Sequence, residues 1–217
     1  MGLDSMLYRM PRYKNATAKD IQAIEDYLDW VKAKAEEPEY AQCTFKEWCG
    51  REEIPLKEYI DFYSIFYKKR NSKWFETIME EVGYWRKANQ IHAWFVDKVQ
   101  DGEDDCDYHH EVTKEILEEL LDTCETVLAS CELVDGKITN GYKFENGKEV
   151  PIMEDGKYIK DPSVAMELLP TTSGFFFGST DYDEYYVNDI KDTIDIVTKV
   201  LETTDFEKEM IYYVSSW

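Results

Sequence analysis

Residues 113–162 read TKEILEELLDTCETVLASCELVDGKITNGYKFENGKEVPIMEDGKYIKDP. Two textures meet in this stretch. Up to Cys131, the apolar residues Ile116, Leu117, Leu120, Leu121, Cys124, Val127, Leu128 and Cys131 recur every three or four positions. Lys114, Glu115, Glu118, Glu119 and Asp122 fall on the opposite side. That period predicts an amphipathic helix over 113–131. From Glu132 the helical period stops. Four turn-forming pairs follow: Asp135-Gly136, Asn140-Gly141, Asn146-Gly147 and Asp155-Gly156. Such pairs tolerate the positive φ of tight turns, so short strands should alternate with them. The segment 132–162 is therefore expected to be a β-hairpin meander, an excursion from a helical body.

The rest of the chain supplies that body. Thr17 is placed to cap a helix over 17–35, with Asp20 in its first turn and Ile21, Ile24, Leu28 and Val31 as its buried stripe. Thr44 and Glu47 have capping-box spacing before a short helix that Gly50 stops. Pro55 opens a helix to about residue 69, and 73–82 reads as another helical stretch. Over 84–99, Trp85, Ala88, Ile91, His92, Phe95 and Val99 line one stripe and predict a further helix. Short and long helices are expected at 162–169 and 183–201. Strands are expected at 3–10, at 174–178 around Phe175, and at 210–214, and these three can form one small sheet. The fold class is α+β: a mainly helical body with a small sheet and the inserted hairpin meander, one domain over 1–217.

Charge limits the partners. The chain has 217 residues, with 46 Asp plus Glu against 25 Lys plus Arg, a formal charge of −21. Phosphate backbones need neutralising cations, so direct nucleic-acid binding is disfavoured, and anionic membrane surfaces with it. A basic protein partner is favoured, or acidity serves solubility alone. No apolar run approaches the roughly 20 residues of a membrane span. Five cysteines, an odd count with no secretion signal, argue against a disulfide framework and for small buried hydrophobes.

Two segments carry candidate chemistry. Trp85, Asn89 and His92 stand four and three residues apart, with Arg86 beside them. On one helix they would offer a stacking face, a base-edge donor, a proton acceptor and a phosphate ligand. The alternative is that Trp85 and His92 are core and Arg86 pairs with a carboxylate. The second segment holds Ser173, Gly174, Ser179 and Asp183. Its glycines allow close backbone approach, and Ser179 with Thr180 is placed to cap the next helix, an anion site in principle. Asp181, Asp183 and Glu184 crowd that end and would repel a phosphate unless a metal or Arg86 intervened. No Lys follows the second glycine as in a P-loop, and Gly-x-Ser-x-Gly is absent. The loop 101–111 alternates acidic residues as a calcium loop does, but Cys106 takes the glycine position and Val112 the twelfth. Cys106, His109 and His110 have only a weak claim to zinc, so no metal and no cofactor is expected. No catalytic set is legible; His92 is the one plausible internal base.

GYWRKANQIHAWFV at 83–96 and SGFFFGSTDYDEYY at 173–186, with MGLD at 1–4 and SSW at 215–217, resemble a family of uncharacterised proteins of bacteriophages, prophages and gut Firmicutes. The resemblance implies a bacterial cytoplasm and an accessory gene of a mobile element. The expected function is binding and modulation of a host factor, such as inhibition of a defence nuclease in the manner of an anti-CRISPR protein. Glu118, Glu119 and Asp122 on the 113–131 helix, with Asp104 and Asp105, would form the acidic contact surface for a basic host protein. The other expectation is a small-molecule ligand, a nucleotide for instance, held where Trp85, Arg86, Asn89 and His92 meet 173–183. Oligomeric state is open.

Overall fold

The computed structural model describes residues 2–69, 76–106, 109–174 and 177–217. In chain order the elements begin with β1 (Asp4–Pro11), α1 (Ala18–Glu36), a 3-10 turn (Pro38–Tyr40), α2 (Phe45–Cys49), α3 (Lys57–Tyr63), β2 (Glu80–Arg86) and α4 (Asn89–Val99). There follow β3 (His110–Val112), α5 (Lys114–Ser130), β4 (Leu133–Glu145), β5 (Lys148–Ile159), α6 (Ser163–Leu168), α7 (Glu184–Thr203) and β6 (Glu209–Ser216). The class is α+β, as the sequence predicts.

One antiparallel sheet runs in the order β2-β1-β6-β3. Side chains alternate across a strand, and β6 uses both sides. Met210 and Tyr212 face a core formed with Ile21, Ile24 and Tyr63 from α1 and α3. Ile211 and Tyr213 face the larger core, built on Leu117, Leu120, Val127, Ile190 and Val197 from α5 and α7. The sheet is thus covered by helices on both faces.

Capping chemistry sets the helix starts. Thr17 and Asp20 close a reciprocal capping box on α1, and Thr44 and Glu47 close one on α2. The α1 stripe is shorter than expected: Ile21 and Ile24 are buried, while Val31 is exposed. Helix α5 buries Leu117, Leu120, Cys124 and Val127, as its period requires.

Several expectations are corrected. The helix over 84–99 divides. Gly83 and Trp85 are buried while Tyr84 and Arg86 are exposed, which is the period of a strand. Lys87 takes φ 63° and turns the chain, and α4 starts only at Asn89. Trp85 still packs on Phe95, with ring centroids 5.9 Å apart, so a strand residue falls on a helical stripe. Second, the third and fourth strands of the sheet are β2 and β3. Phe175 and Phe176 lie outside the described residues, and Gly174, Phe177 and Gly178 beside them belong to no strand. Of the helix expected at 73–82, residues 73–75 lie outside the described residues and 80–82 are strand. Third, the meander is one long hairpin. Only Asn146-Gly147 turns it, with φ 53° and 76°. Gly136 pairs with Gly156 inside the ribbon, and the ring of Tyr158 and the side chain of Ile138 occupy the space their side chains would fill. The pairing register shifts between Thr139 and Tyr142, around Asn140-Gly141.

The base of the hairpin is fixed to the start of α7. Ile159 N–H donates to Tyr182 O at 2.9 Å, and Lys157 N–H donates to Glu184 Oε1 at 2.8 Å. This attachment brings the hairpin beside the 171–183 loop. Among the described residues no helix is long and apolar enough to cross a membrane.

Candidate functional site

A cleft of about 680 Å³ opens where four pieces of chain converge. Arg86, Lys87 and Gln90 come from the β2–α4 junction, and Thr139 to Tyr142 from the shifted part of the hairpin. Thr171, Gly174, Gly178, Ser179 and Asp181 come from the loop before α7. Asp183, Tyr185, Tyr186 and Asp189 come from the first turns of α7. The two sequence segments singled out for chemistry therefore do meet.

Asn89 is what joins them. Its Nδ2 donates to Phe177 O at 3.2 Å and to Ser179 O at 2.8 Å, and its Oδ1 accepts from Thr172 N–H at 2.8 Å. The side chain is fully committed to backbone, so it positions the loop and reads no base edge. Gly178 completes the join. It sits at φ 96° against the Lys87 backbone and stem, a conformation and a spacing that favour glycine.

The floor is acidic. Asp183 caps α7: its Oδ1 accepts from Tyr185 N–H at 2.9 Å and Tyr186 N–H at 3.2 Å. Asp183, not Ser179 or Thr180, is the cap. Its Oδ2 is buried with no hydrogen-bond partner in a residue only 2% exposed. Burial pushes its carboxyl above the usual range, against the pull of the two amides. Asp189, on the same side of α7, accepts from Gln90 Nε2 at 3.1 Å. Burial first, then the charges of Asp192 and Asp183, push it up to about 6 despite the Gln90 hydrogen bond. Tyrosines form the walls. Tyr186 is buried and donates to Leu169 O at 3.0 Å, whereas Tyr142 and Tyr185 are more than half exposed. Glu154 ties Tyr185 to the hairpin, accepting from its hydroxyl at 3.3 Å and from Asn140 Nδ2 at 2.7 Å.

Asp189 links this floor to stability. Its carboxyl is raised in the folded protein, so the fold holds a proton that the unfolded chain gives up near the ordinary value of about 4. Stability should then fall as pH rises from about 4 to about 6 and stay lower above that. Asp189→Asn keeps an acceptor for Gln90 and removes the penalty. Chemical denaturation at pH 8 should show the variant more stable by about 1–2 kcal/mol, because the partly solvated site softens the penalty. A variant no more stable than wild type at pH 8 contradicts the buried-charge assignment.

The other expected ligand residues lie elsewhere. Trp85 is core, and its Nε1–H donates to Thr193 Oγ1 at 2.9 Å. Arg86 lines the mouth but pairs with Asp4 at 3.1 Å. His92 is 1% exposed and sits behind the cleft. Its Nδ1 bonds the Tyr213 hydroxyl at 2.7 Å, its Nε2–H donates to Asp104 Oδ2 at 3.1 Å, and Tyr213 bonds Ser5 Oγ at 3.1 Å. The core alternative stated for Trp85, Arg86 and His92 is the one the structure has. Gly174, Ser179 and Asp183 do line the cleft; Ser173 is exposed and does not.

Asp189, Gln90, Tyr142, Tyr185 and Tyr186 are cleft residues that the sequence reading did not select. For Asp189 a signal existed. It lies between Tyr186 and Ile190 on a buried stripe, where a carboxylate needs a reason.

The acidic loop is also partly inward. Asp104 bonds His92, and its Oδ1 accepts from Trp217 Nε1–H at 3.4 Å. Asp105 approaches His110 at 3.5 Å. Asp104 is an exposed residue and Asp105 a half-buried one, and each also holds a contact within the protein. Glu118, Glu119 and Asp122 do lie on the exposed face of α5, with Glu118 paired to Lys114 and Glu119 to Lys98. Asp107 and Tyr108 lie outside the described residues, among which no group of three or more His, Cys, Asp or Glu could hold a metal ion.

No family model, curated protein or solved structure matches the chain.

Proposed function

We propose that this protein binds a small organic ligand in the cleft between α4, the 171–183 loop, the hairpin and α7. The observation that carries the reading is the buried, unpartnered Oδ2 of Asp183 on the cleft floor. Proteins pair nearly all their buried polar atoms, and a carboxylate oxygen left without a donor is costly. A ligand donor in the cleft removes that cost. The volume, about 680 Å³, is of the size that holds small molecules, and exposed tyrosine faces beside a few polar groups suit one. Among the described residues no histidine lines the cleft to serve as a base for Ser179, since His92 is buried outside it, so binding is the reading taken.

The test is a thermal-shift screen against amines, guanidines, nucleotides, sugars and divalent metals. A ligand at 100 times its dissociation constant stabilises by about 2.7 kcal/mol. For a chain of this size that raises the melting temperature by roughly 5–10 °C. A screen in which no class shifts the transition overturns the reading.

A second reading rests on the outer face of α5, where Glu115, Glu118, Glu119, Asp122 and Glu125 are exposed together. With the resemblance to phage and prophage proteins, that surface supports an accessory protein that occupies a basic groove of a host factor, a defence nuclease for instance. The triple variant E118K/E119K/D122K should lose capture of basic proteins from a bacterial lysate. Equal capture by wild type and variant removes this reading.

A further inference from the structure

We infer that the ligand of this cleft is an organic cation, whose ammonium or guanidinium group donates N–H bonds to the free Oδ2 of Asp183 and to Asp189. The inference rests on the small-ligand reading above and gives it a charge class.

Two carboxylates share the floor, and among the described residues neither Asp183 nor Asp189 forms a salt bridge with a lysine or arginine. Two cations, Arg86 and Lys87, line the cleft at the β2–α4 junction, and Arg86 is held there by Asp4. A helix start ordinarily offers its free amides to an anion. Here the Tyr185 and Tyr186 amides already receive Oδ1 of Asp183, so the anion position is filled by the protein's own side chain. A phosphate entering the cleft would meet Asp181, Asp183 and Asp189 with its amide partners already taken. Negative charge on the floor instead selects a positive ligand.

The walls distinguish an organic cation from a metal ion. A hard divalent cation gathers six or more oxygens, and two carboxylates supply few of them. Among the described residues no group of three or more metal-ligating side chains is present. Tyr142 and Tyr185, by contrast, expose ring surface at the cleft. Aromatic faces attract ammonium and guanidinium groups and cover the carbon stem attached to them. The cleft is also far larger than one ammonium group, so the cation should carry an extended stem.

Isothermal titration of the full chain at pH 7.5 tests this, with spermidine and agmatine as probes. 1,4-Butanediol, inorganic phosphate, guanosine monophosphate and magnesium chloride are the comparison ligands. At least one amine probe should bind saturably with one site, and more weakly as salt is raised. Asp183→Asn and Asp189→Asn should each weaken that binding by about tenfold or more. Both variants keep the fold in place: asparagine caps a helix as well as aspartate, and Asp189→Asn is expected to be more stable than wild type. Loss of binding is therefore not loss of structure, and a melting curve on each variant verifies it. Binding of the diol, phosphate, nucleotide or magnesium with no binding of either amine overturns the cation inference and leaves the small-ligand reading standing. Amine binding unaffected by both substitutions also overturns it, because the cation then sits elsewhere. Absence of binding by every probe overturns the inference, while the wider thermal-shift screen decides the reading beneath it.

Discussion

Asn89→Ala should lower the stability of the protein by about 3–5 kcal/mol and abolish ligand binding in the cleft. The substitution strips partners from Thr172 N–H, Phe177 O and Ser179 O at once. Each buried backbone group left unsatisfied costs about 1–3 kcal/mol, less where water can reach it. The corresponding fall in melting temperature is roughly 6–20 °C. Asn89 holds the loop that forms one wall of the cleft, so affinity should fall with stability, although the side chain does not itself line the cleft. Asn89→Asp sharpens the test. It keeps an acceptor for Thr172 and removes both donors, so its cost should approach that of alanine. A loss below about 1 kcal/mol for Asn89→Ala would mean that the loop is held mainly by Thr171, through its bonds to Thr180 O and the Tyr182 hydroxyl.

His92→Ala should cost a similar amount, about 3–5 kcal/mol, by another route. The ring is fully enclosed. It joins α4 to β6 through Tyr213, and joins both to the 101–106 loop through Asp104. Phe177 packs edge-on against it at 5.3 Å, and Trp217 packs on Phe177 at 5.8 Å. Removing the ring leaves a cavity and takes the donor from Asp104. Urea unfolding gives the stability, and Trp217 offers a local readout because its indole N–H rests on the same carboxylate. Tyr213→Phe deletes one hydroxyl from the chain and should cost only about 1–2 kcal/mol. If His92→Ala were no worse than Tyr213→Phe, the ring would be neither well packed nor central to the network.

The sequence was most legible where one period or one cap decided the outcome. The α5 and α7 stripes and the Thr17 and Thr44 capping boxes follow from local chemistry, as do the strand periods at the two ends, though not their pairing. It was least legible where tertiary packing decided. Trp85 belongs to a strand, yet its contact with Phe95 gives it a helical spacing from that residue. Asp-Gly pairs suggest turns, but Gly136 and Gly156 face each other across a ribbon because Tyr158 and Ile138 need the room. The site was legible in location and not in chemistry. The two segments do converge, but the residues that suggested a nucleotide, Trp85, Asn89 and His92, serve the fold. The groups that face the cleft, Asp189, Tyr142 and Tyr185, are common residue types whose burial and direction no spacing rule announces.

The place of β6 in the sheet also bears on how the chain has to assemble. It enters the sheet between β1 and β3, and Tyr213 meets Ser5 across 208 positions of chain. The helices and the hairpin are local and can form early; the sheet cannot, because its second central strand is the last element of the fold. Closing so long a loop before any pairing is rewarded slows folding. Until β6 arrives, β1 and β3 each keep an unpaired edge, and the two helical layers have no shared wall between their apolar faces. An intermediate of that kind is sticky, and strong like-charge repulsion between chains is one physical means of keeping such intermediates apart while the last strand finds its place.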